Sequence, residues 1–133
     1  AHGDIPEMVQ NIDFAPTFLE LAGVEPPAVM QGVSLVPLLT GEKPGKWRDA
    51  LYYHYYEYPA EHAVRRHYGI RTDRYKLIHF YNDIDRWELY DLSTDPAEMK
   101  NLIDDPAYDR TEAKLRKKLD GLRKKYQVPE DVH

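Results

Sequence analysis

Apolar positions follow three different rhythms along the chain. In residues 1–50 they come in short helical sets. Asp13 is placed to cap a helix whose first turn holds Pro16, where a missing N–H costs little. Phe14, Phe18, Leu21 and Ala22 then share one side at helical spacing, and Gly23 supplies a stop. Glu25-Pro26-Pro27 reads as extended. Ser34 is placed to cap a second short helix through Leu35, Val36, Leu38 and Leu39, closed by Gly41. Each of these apolar faces is short and requires a partner to cover it.

Residues 51–92 read as strands. Leu51–Tyr58 alternates poorly because aromatic side chains occupy both faces, which fits a strand covered on both sides or lining a cleft. Tyr68–Thr72 and Tyr75–Tyr81 flank Asp73-Arg74, a two-residue polar link suited to a tight hairpin. Trp87–Leu92 sets Trp87, Leu89 and Asp91 against Glu88, Tyr90 and Leu92. Four strands that are sequential neighbours favour an antiparallel sheet.

The rest holds a turn and a long helix. Asp95-Pro96-Ala97-Glu98 has a cap, a first-turn proline and a capping-box glutamate. Asp105-Pro106 repeats the start, after which Tyr108, Leu115, Leu119, Leu122 and Tyr126 form one apolar stripe. Asp109 and Glu112 sit early and Arg123, Lys124 and Lys125 late, in agreement with the helix dipole. The fold class that follows is α+β: a small antiparallel sheet of about four strands packed by a long C-terminal helix and preceded by short helices.

Composition narrows the function. The 133 residues carry 18 Lys+Arg against 23 Asp+Glu, a net charge of −5, which argues against a general nucleic-acid binder. Residues 107–126 are locally basic, with eight basic and three acidic side chains, and read as a solvated helix face. No apolar run approaches the roughly 20 residues of a membrane helix. The 42% hydrophobic content can bury a core. The absence of cysteine excludes disulfides, a Cys-based zinc site and a Cys nucleophile.

Candidate chemistry is sparse. Histidines stand at 2, 54, 62, 67, 79 and 133, with no spacing that gathers three or four ligands, so no metal site is expected from this chain alone. His54 and His79, inside strands, read as structural. Ser34 and Ser93 are the only serines, and neither lies in a G-x-S-x-G elbow. The carboxylate pairs Asp83/Asp85 and Asp104/Asp105 fall in polar loops. No catalytic residue is assigned. The stretch Tyr52–Gly69 is different, because five of the eleven tyrosines fall within positions 52–58, with His62, Arg65, Arg66 and His67 beyond them. Aromatic faces bind sugar rings, and guanidinium groups bind sulfate, phosphate or carboxylate. For the tyrosines, filling a sheet–helix core is the favoured reading.

Several motifs point to one family. ELYDLSTDPAEMKNL (88–102) resembles the C-terminal signature of the sulfatases. RTDRYKLIHFY (71–81) resembles the strand pair before it. VQNIDFAPTFLELAGVEPP (9–27) resembles the helix after the family's last metal-binding segment, and QGVSLVPLLTGE (31–42) its G-x-S-L-x-P-L-L element. AEHAVRRHYGIRT (60–72) resembles the version in bacterial glycan-degrading sulfatases.

The resemblance implies that residues 1–50 are the tail of the large sulfatase α/β domain and residues 51–133 its small C-terminal subdomain. It implies a C-terminal fragment, non-catalytic alone, that covers the main domain and helps shape the pocket for a sulfated glycan. The partner would be the missing N-terminal sulfatase domain, without nucleic acid or membrane. Calcium and a formylglycine, made from C/S-x-P-x-R, would belong to the full-length enzyme, itself periplasmic or secreted. His67 is the foremost candidate for holding a substrate hydroxyl, followed by His62, Arg65 and Arg66. Self-association through residues 1–50 is expected of the chain by itself. An independent carbohydrate-binding or interaction module, and the C-terminal piece of a related phosphonate or phosphodiester hydrolase, are the alternatives.

Overall fold

The structure is a computed structural model that describes residues 4–42, 44–82 and 84–129. His2, Asp83 and His133 lie outside the described residues. The chain separates into two compact units, 1–49 and 50–133.

The first unit is organised by Asp13. A 3-10 turn, Asn11–Asp13, leads into helix α1, Phe14–Leu21, and a later single turn forms helix α2, Val36–Leu39. Asp13 stands at the N-cap of α1, but its side chain makes no cap bond. It is fully buried. Its two oxygens accept a bidentate pair from Arg48 at 2.6 and 2.7 Å, the Val33 N–H at 2.9 Å and the Gln10 N–H at 2.7 Å. Burial alone would raise its pKa. The Arg48 guanidinium and the two backbone donors outweigh that and bring it below the usual carboxylate value. One helical turn on, Thr17 donates to the Asp13 carbonyl and accepts from Leu35 N at 2.8 Å. Residues 31–35 are thereby laced to α1 at Val33 and Leu35. Gly32 is needed at this contact, because a Cβ there would collide with the Ile12 carbonyl oxygen.

The N-cap of α2 is Leu35 rather than Ser34; Ser34, one residue earlier, still accepts from Val36 N at 3.2 Å. Gly23 and Gly41 end their helices with φ of 71° and 83°, the left-handed region that glycine enters freely. The apolar faces divide. Leu35 and Leu38 are buried within the described structure, contrary to the expectation that they await a partner, whereas Phe14, Phe18 and Leu21 remain 53%, 67% and 66% exposed.

The second unit is a four-stranded antiparallel sheet in the order β1-β2-β3-β4: Leu51–Tyr55, His67–Arg71, Tyr75–Phe80 and Arg86–Asp91. The first strand stops at Tyr55 rather than Tyr58, since its last partner is His67, where β2 begins. The Asp73-Arg74 hairpin forms as expected, closed by reciprocal bonds between Thr72 and Tyr75. Register sorts the side chains into rows. Tyr52, Ile70, Leu77 and Leu89 stand opposite one another on one face, with His54, Tyr68, His79 and Trp87 beside them. Helix α3, Asp109–Lys125, covers that face with Leu115 and Leu119, which join Ile70, Leu77, Leu89, Leu102 and Ala50 in the core. The other face carries the rows Tyr53, Gly69, Ile78, Glu88 and Tyr55, His67, Phe80, Arg86. Gly69 is required there because the Tyr53 hydroxyl and the Leu77 carbonyl oxygen each lie 2.5 Å from where a Cβ would sit.

The Asp105-Pro106 start is observed, with Asp105 accepting from Ala107 N at 3.0 Å. The Asp95–Glu98 start is not. Asp95 instead accepts from Lys100 N, while Glu98 adopts φ of 55° and pairs with Lys76 at 2.6 Å. That ion pair and the turn around it replace a helix. Asp91, fully buried, ties the β2–β3 hairpin to the end of β4 by accepting from Arg74 at 2.7 Å and from Ser93 N and Oγ.

Asp13→Ala leaves Arg48 without its counter-charge and two backbone donors unsatisfied. Breaking such a buried pair costs about 3–5 kcal/mol. Denaturant unfolding should show that loss, with faster hydrogen exchange at the Val33 and Gln10 amides. Wild-type protection at both would contradict it.

Candidate functional site

The segment singled out by the sequence is the β1–β2 connection, residues 56–66, and the strand ends beside it. Arg66 Nε donates to the Tyr56 carbonyl at 2.9 Å, while the Arg66 carbonyl accepts from Tyr81 N at 3.3 Å. Arg66 thus closes the base of its own loop. The Arg65 guanidinium lies over the Tyr58 ring at 5.3 Å. His67 Nδ1 is 2.8 Å from the Arg65 carbonyl oxygen. Its ring stacks on Tyr55 at 5.5 Å, meets Tyr53 edge-on at 5.9 Å and Phe80 at 5.3 Å. His62 is exposed on the loop. The structure therefore joins Arg65 and His67 through a backbone bond, turns Arg66 to the loop's frame, and leaves His62 exposed on the loop.

A carbonyl can only accept, so the Nδ1 of a neutral His67 carries the proton and Nε2 holds the lone pair. Among the described residues Nε2 has no hydrogen-bond partner. A ring fixed on three sides by aromatic neighbours, with one free acceptor, is suited to receive a hydroxyl proton.

The tyrosines divide between the two faces of the sheet. Beneath α3, His54 sits between Tyr52 OH at 2.9 Å and Tyr81 OH at 2.7 Å, with Tyr56 stacked on it at 3.8 Å. Burial, helped by the nearby positive Arg123, holds the His54 pKa down at about 4. A second chain runs through His79. Arg123 donates to Tyr68 OH at 3.3 Å, Tyr68 to His79 Nδ1 at 2.8 Å, and His79 Nε2–H to Asp85 at 2.8 Å. Burial lowers the His79 pKa, and Asp85 opposes this only in part. The Tyr52, Tyr53, Tyr68 and Tyr81 hydroxyls are all pushed up by burial, so they stay protonated donors at neutral pH. His54 and His79 are structural, as their strand positions suggested.

Two arginines of the stretch that the sequence presents as a solvated helix face instead complete this layer. Arg116 lies over Trp87 at 3.6 Å and Arg123 over Tyr68 at 4.6 Å. Their spacing of seven, just beside Leu115 and Leu122, is the pattern that marks them as turned toward the sheet.

No group of three His, Cys, Asp or Glu side chains among the described residues is placed to hold a metal ion. The sequence has no cysteine and no serine in S-x-P-x-R. The described residues thus gather no ligand set for calcium, and the sequence holds no motif from which a formylglycine is made. Among the described residues no helix is long and apolar enough to cross a membrane.

An antiparallel sheet crossed by one long helix, with short helices before it, is the α+β arrangement of the sulfatase C-terminal region. Residues 1–125 match the family described as N-sulphoglucosamine sulphohydrolase, C-terminal, and the chain belongs to that family. It is 57% identical over 118 residues to an N-acetylglucosamine-6-O-sulfatase of Bacteroides thetaiotaomicron, covering 87% of this chain and 21% of that protein. A Delta 4,5-hexuronate-2-O-sulfatase of the same organism is 39% identical, over 83% of this chain and 22% of its own length. A solved structure of a protein in complex with its substrate D-glucosamine-2-N,6-O-disulfate superposes with a TM-score of 0.86 at 53% identity, covering 91% of this chain and 25% of that one. A phosphonate monoester hydrolase of Agrobacterium radiobacter superposes with a TM-score of 0.70 at 29% identity, over 86% and 24% of the two chains. The chain thus spans about a fifth of the length of the curated relatives it matches.

The depressed His54 pKa has a sign that can be checked. The native ring stays neutral down to about pH 4, while an unfolded histidine protonates near 6.5. The unfolded state therefore binds more protons between those values, and stability falls as pH drops from about 6.5 to about 4. Histidine ring NMR should place the His54 midpoint near 4. A midpoint at or above 6 would show that the ring is not held neutral.

Proposed function

We propose that this segment is part of a sulfatase that hydrolyses sulfate esters of glycans, with a 6-O-sulfated glucosamine as its substrate. In this reading the segment performs no chemistry by itself. It covers the main domain of the enzyme and shapes the sugar pocket with the 56–66 loop and His67. The exposed face of Phe14, Phe18 and Leu21 is where the rest of the enzyme would lie, and in the lone chain the same face would drive self-association. The substrate is drawn from two proteins to which the chain is 57% and 53% identical. The observation that carries the pocket role is the His67 ring, locked through Nδ1 and three aromatic neighbours with Nε2 left as an acceptor. Arg65 and His62 supply charge and hydrogen bonding along the same loop. Calcium and formylglycine belong to the remainder of the enzyme. The likeness to a phosphonate monoester hydrolase supports a second reading, in which the ester is a phosphonate.

The 133-residue chain, purified, should not turn over an aryl sulfate or an aryl phosphonate, since nucleophile and electrophilic assistance both lie elsewhere. Chelator-sensitive turnover above a buffer blank would refute this.

In the full-length enzyme, losing one hydrogen bond to a buried polar partner costs about 1–3 kcal/mol. His67→Ala should therefore lower kcat/KM on the 6-sulfated sugar about ten- to a hundredfold. An aryl sulfate, which lacks the sugar hydroxyl, should be nearly unaffected. Equal losses on both substrates with a lower melting temperature would make His67 a structural residue. Preference for an aryl phosphonate over an aryl sulfate would favour the second reading.

A further inference from the structure

Apart from the inward Arg116 and Arg123, the cations of helix α3 lie largely on the side turned away from the sheet. Eight of the chain's 18 basic residues and only three of its 23 acidic ones fall within 107–126, a local +5 that leaves −10 for the remainder. Leu115, Leu119 and Leu122 pack on the sheet. At about 100° per residue, Arg110, Lys114, Lys117, Lys124 and Lys125 lie on the opposite side of α3, within about 100° of one another. All five are exposed. Arg110, Lys114, Lys117 and Lys124 have no ion-pair partner among the described residues. Of the acids on this helix, Glu112 is held by Arg116 at 2.6 Å, Asp109 sits at the helix start, and Asp120 lies at the margin of the stripe. At about 1.5 Å per residue, Arg110 to Lys124 spans about 21 Å in single file.

Like charges one turn apart on a helix repel by a few tenths of a kcal/mol per pair, and a merely solvated face relieves this by interleaving opposite signs. Here one acid, Asp120, intervenes, three residues after Lys117 and four before Lys124, and Arg110, Lys114 and Lys117 follow one another without one. The core leucines and the two inward arginines already account for the packing of α3, so the outer cations are not needed for the fold. The end of the stripe opens on a recess of about 290 Å³ lined by Asp120, Arg123, Lys124, Gln127 and Val128. The buried Arg123 Nε beside it has no hydrogen-bond partner among the described residues.

We propose that this stripe is a docking surface for a linear, highly sulfated glycan, binding sugars of the same polymer away from the residue being hydrolysed. The proposal rests on the reading that the enzyme acts on sulfated glycans. Lysine predominates in the stripe. Its compact charge suits sulfates presented at varied angles, whereas Arg116 and Arg123 are engaged with aromatic rings. A single cationic file on one helix face is a small footprint for duplex DNA and favours a thin, flexible polyanion.

The test uses the full-length enzyme and a heparin dodecasaccharide titrated at several salt concentrations. The triple variant Lys114→Gln, Lys117→Gln, Lys124→Gln should bind it at least tenfold more weakly at 50 mM salt. Its log–log salt slope should be shallower by about 2–3, as expected when three cations no longer displace counterions. The melting temperature and the turnover of a small aryl sulfate should not change. Should the triple change lower the melting temperature, Lys117→Gln alone should still weaken binding about two- to threefold. Unchanged heparin affinity, equal affinity for the desulfated dodecasaccharide, or equal affinity for duplex DNA would each overturn the proposal. Failure of the parent reading would register separately, as absent turnover of sulfate esters, because the heparin titration requires no turnover.

Discussion

Two aspartates that reach no solvent, each facing an arginine, fix the geometry of the two units. Asp13 and Asp91 are the fully buried charged residues of the described structure. A carboxylate in that position is tolerable only when most of its lone pairs are met. Asp13 meets Arg48 twice and takes two backbone donors from opposite sides, so residues 10, 13, 33 and 48 are brought to one point from a span of about 40 residues. Asp91 does the same for the hairpin at Arg74 and the turn at Ser93, and its pKa is held at about 2 by that arginine. The hydrophobic contacts of each unit supply driving force, but these two residues specify which segments meet.

The sheet shows how one strand can serve two different surfaces. Alternation sends Tyr52 and His54 beneath α3, where they join closed hydrogen-bond chains, and sends Tyr53 and Tyr55 to the opposite face beside His67. The first set is rigid and satisfied. The second holds the ring that retains a free acceptor. The poor apolar alternation of Leu51–Tyr58 follows from this, because tyrosine suits a packed layer on one side and a recognition surface on the other.

Much of this was legible in the sequence. The four strands, the Asp73-Arg74 hairpin and the inward stripe of α3 follow from periodicity and turn chemistry. The structural roles of His54 and His79 could be inferred from their strand positions. The fate of Asp13 could not, since a cap and a buried ion pair present the same residue to a sequence reader, and the distinction lies in Arg48, 35 residues away. Glu98 misled for a related reason. The capping-box pattern is local, while its partner Lys76 comes from another strand. At the candidate site, Arg65, Arg66 and His67 look alike in charge and spacing. Only the backbone bonds separate Arg66, which closes the loop, from His67, which the loop positions.

The treatment of β4 has a consequence for how the molecule keeps to itself. As the last strand of the sheet, it would present a row of unpaired backbone groups to any other extended chain. Asn101 instead lends its side-chain oxygen to Leu89 N at 2.9 Å and Ile103 N at 3.1 Å, while Leu102 N donates to the Leu89 carbonyl at 2.8 Å. The asparagine and leucine of the N-L pair thus imitate a fifth strand only a residue or two long. A sheet finished in this way offers no template for strand addition at the middle of that edge, so crowded copies of the protein cannot zip together there.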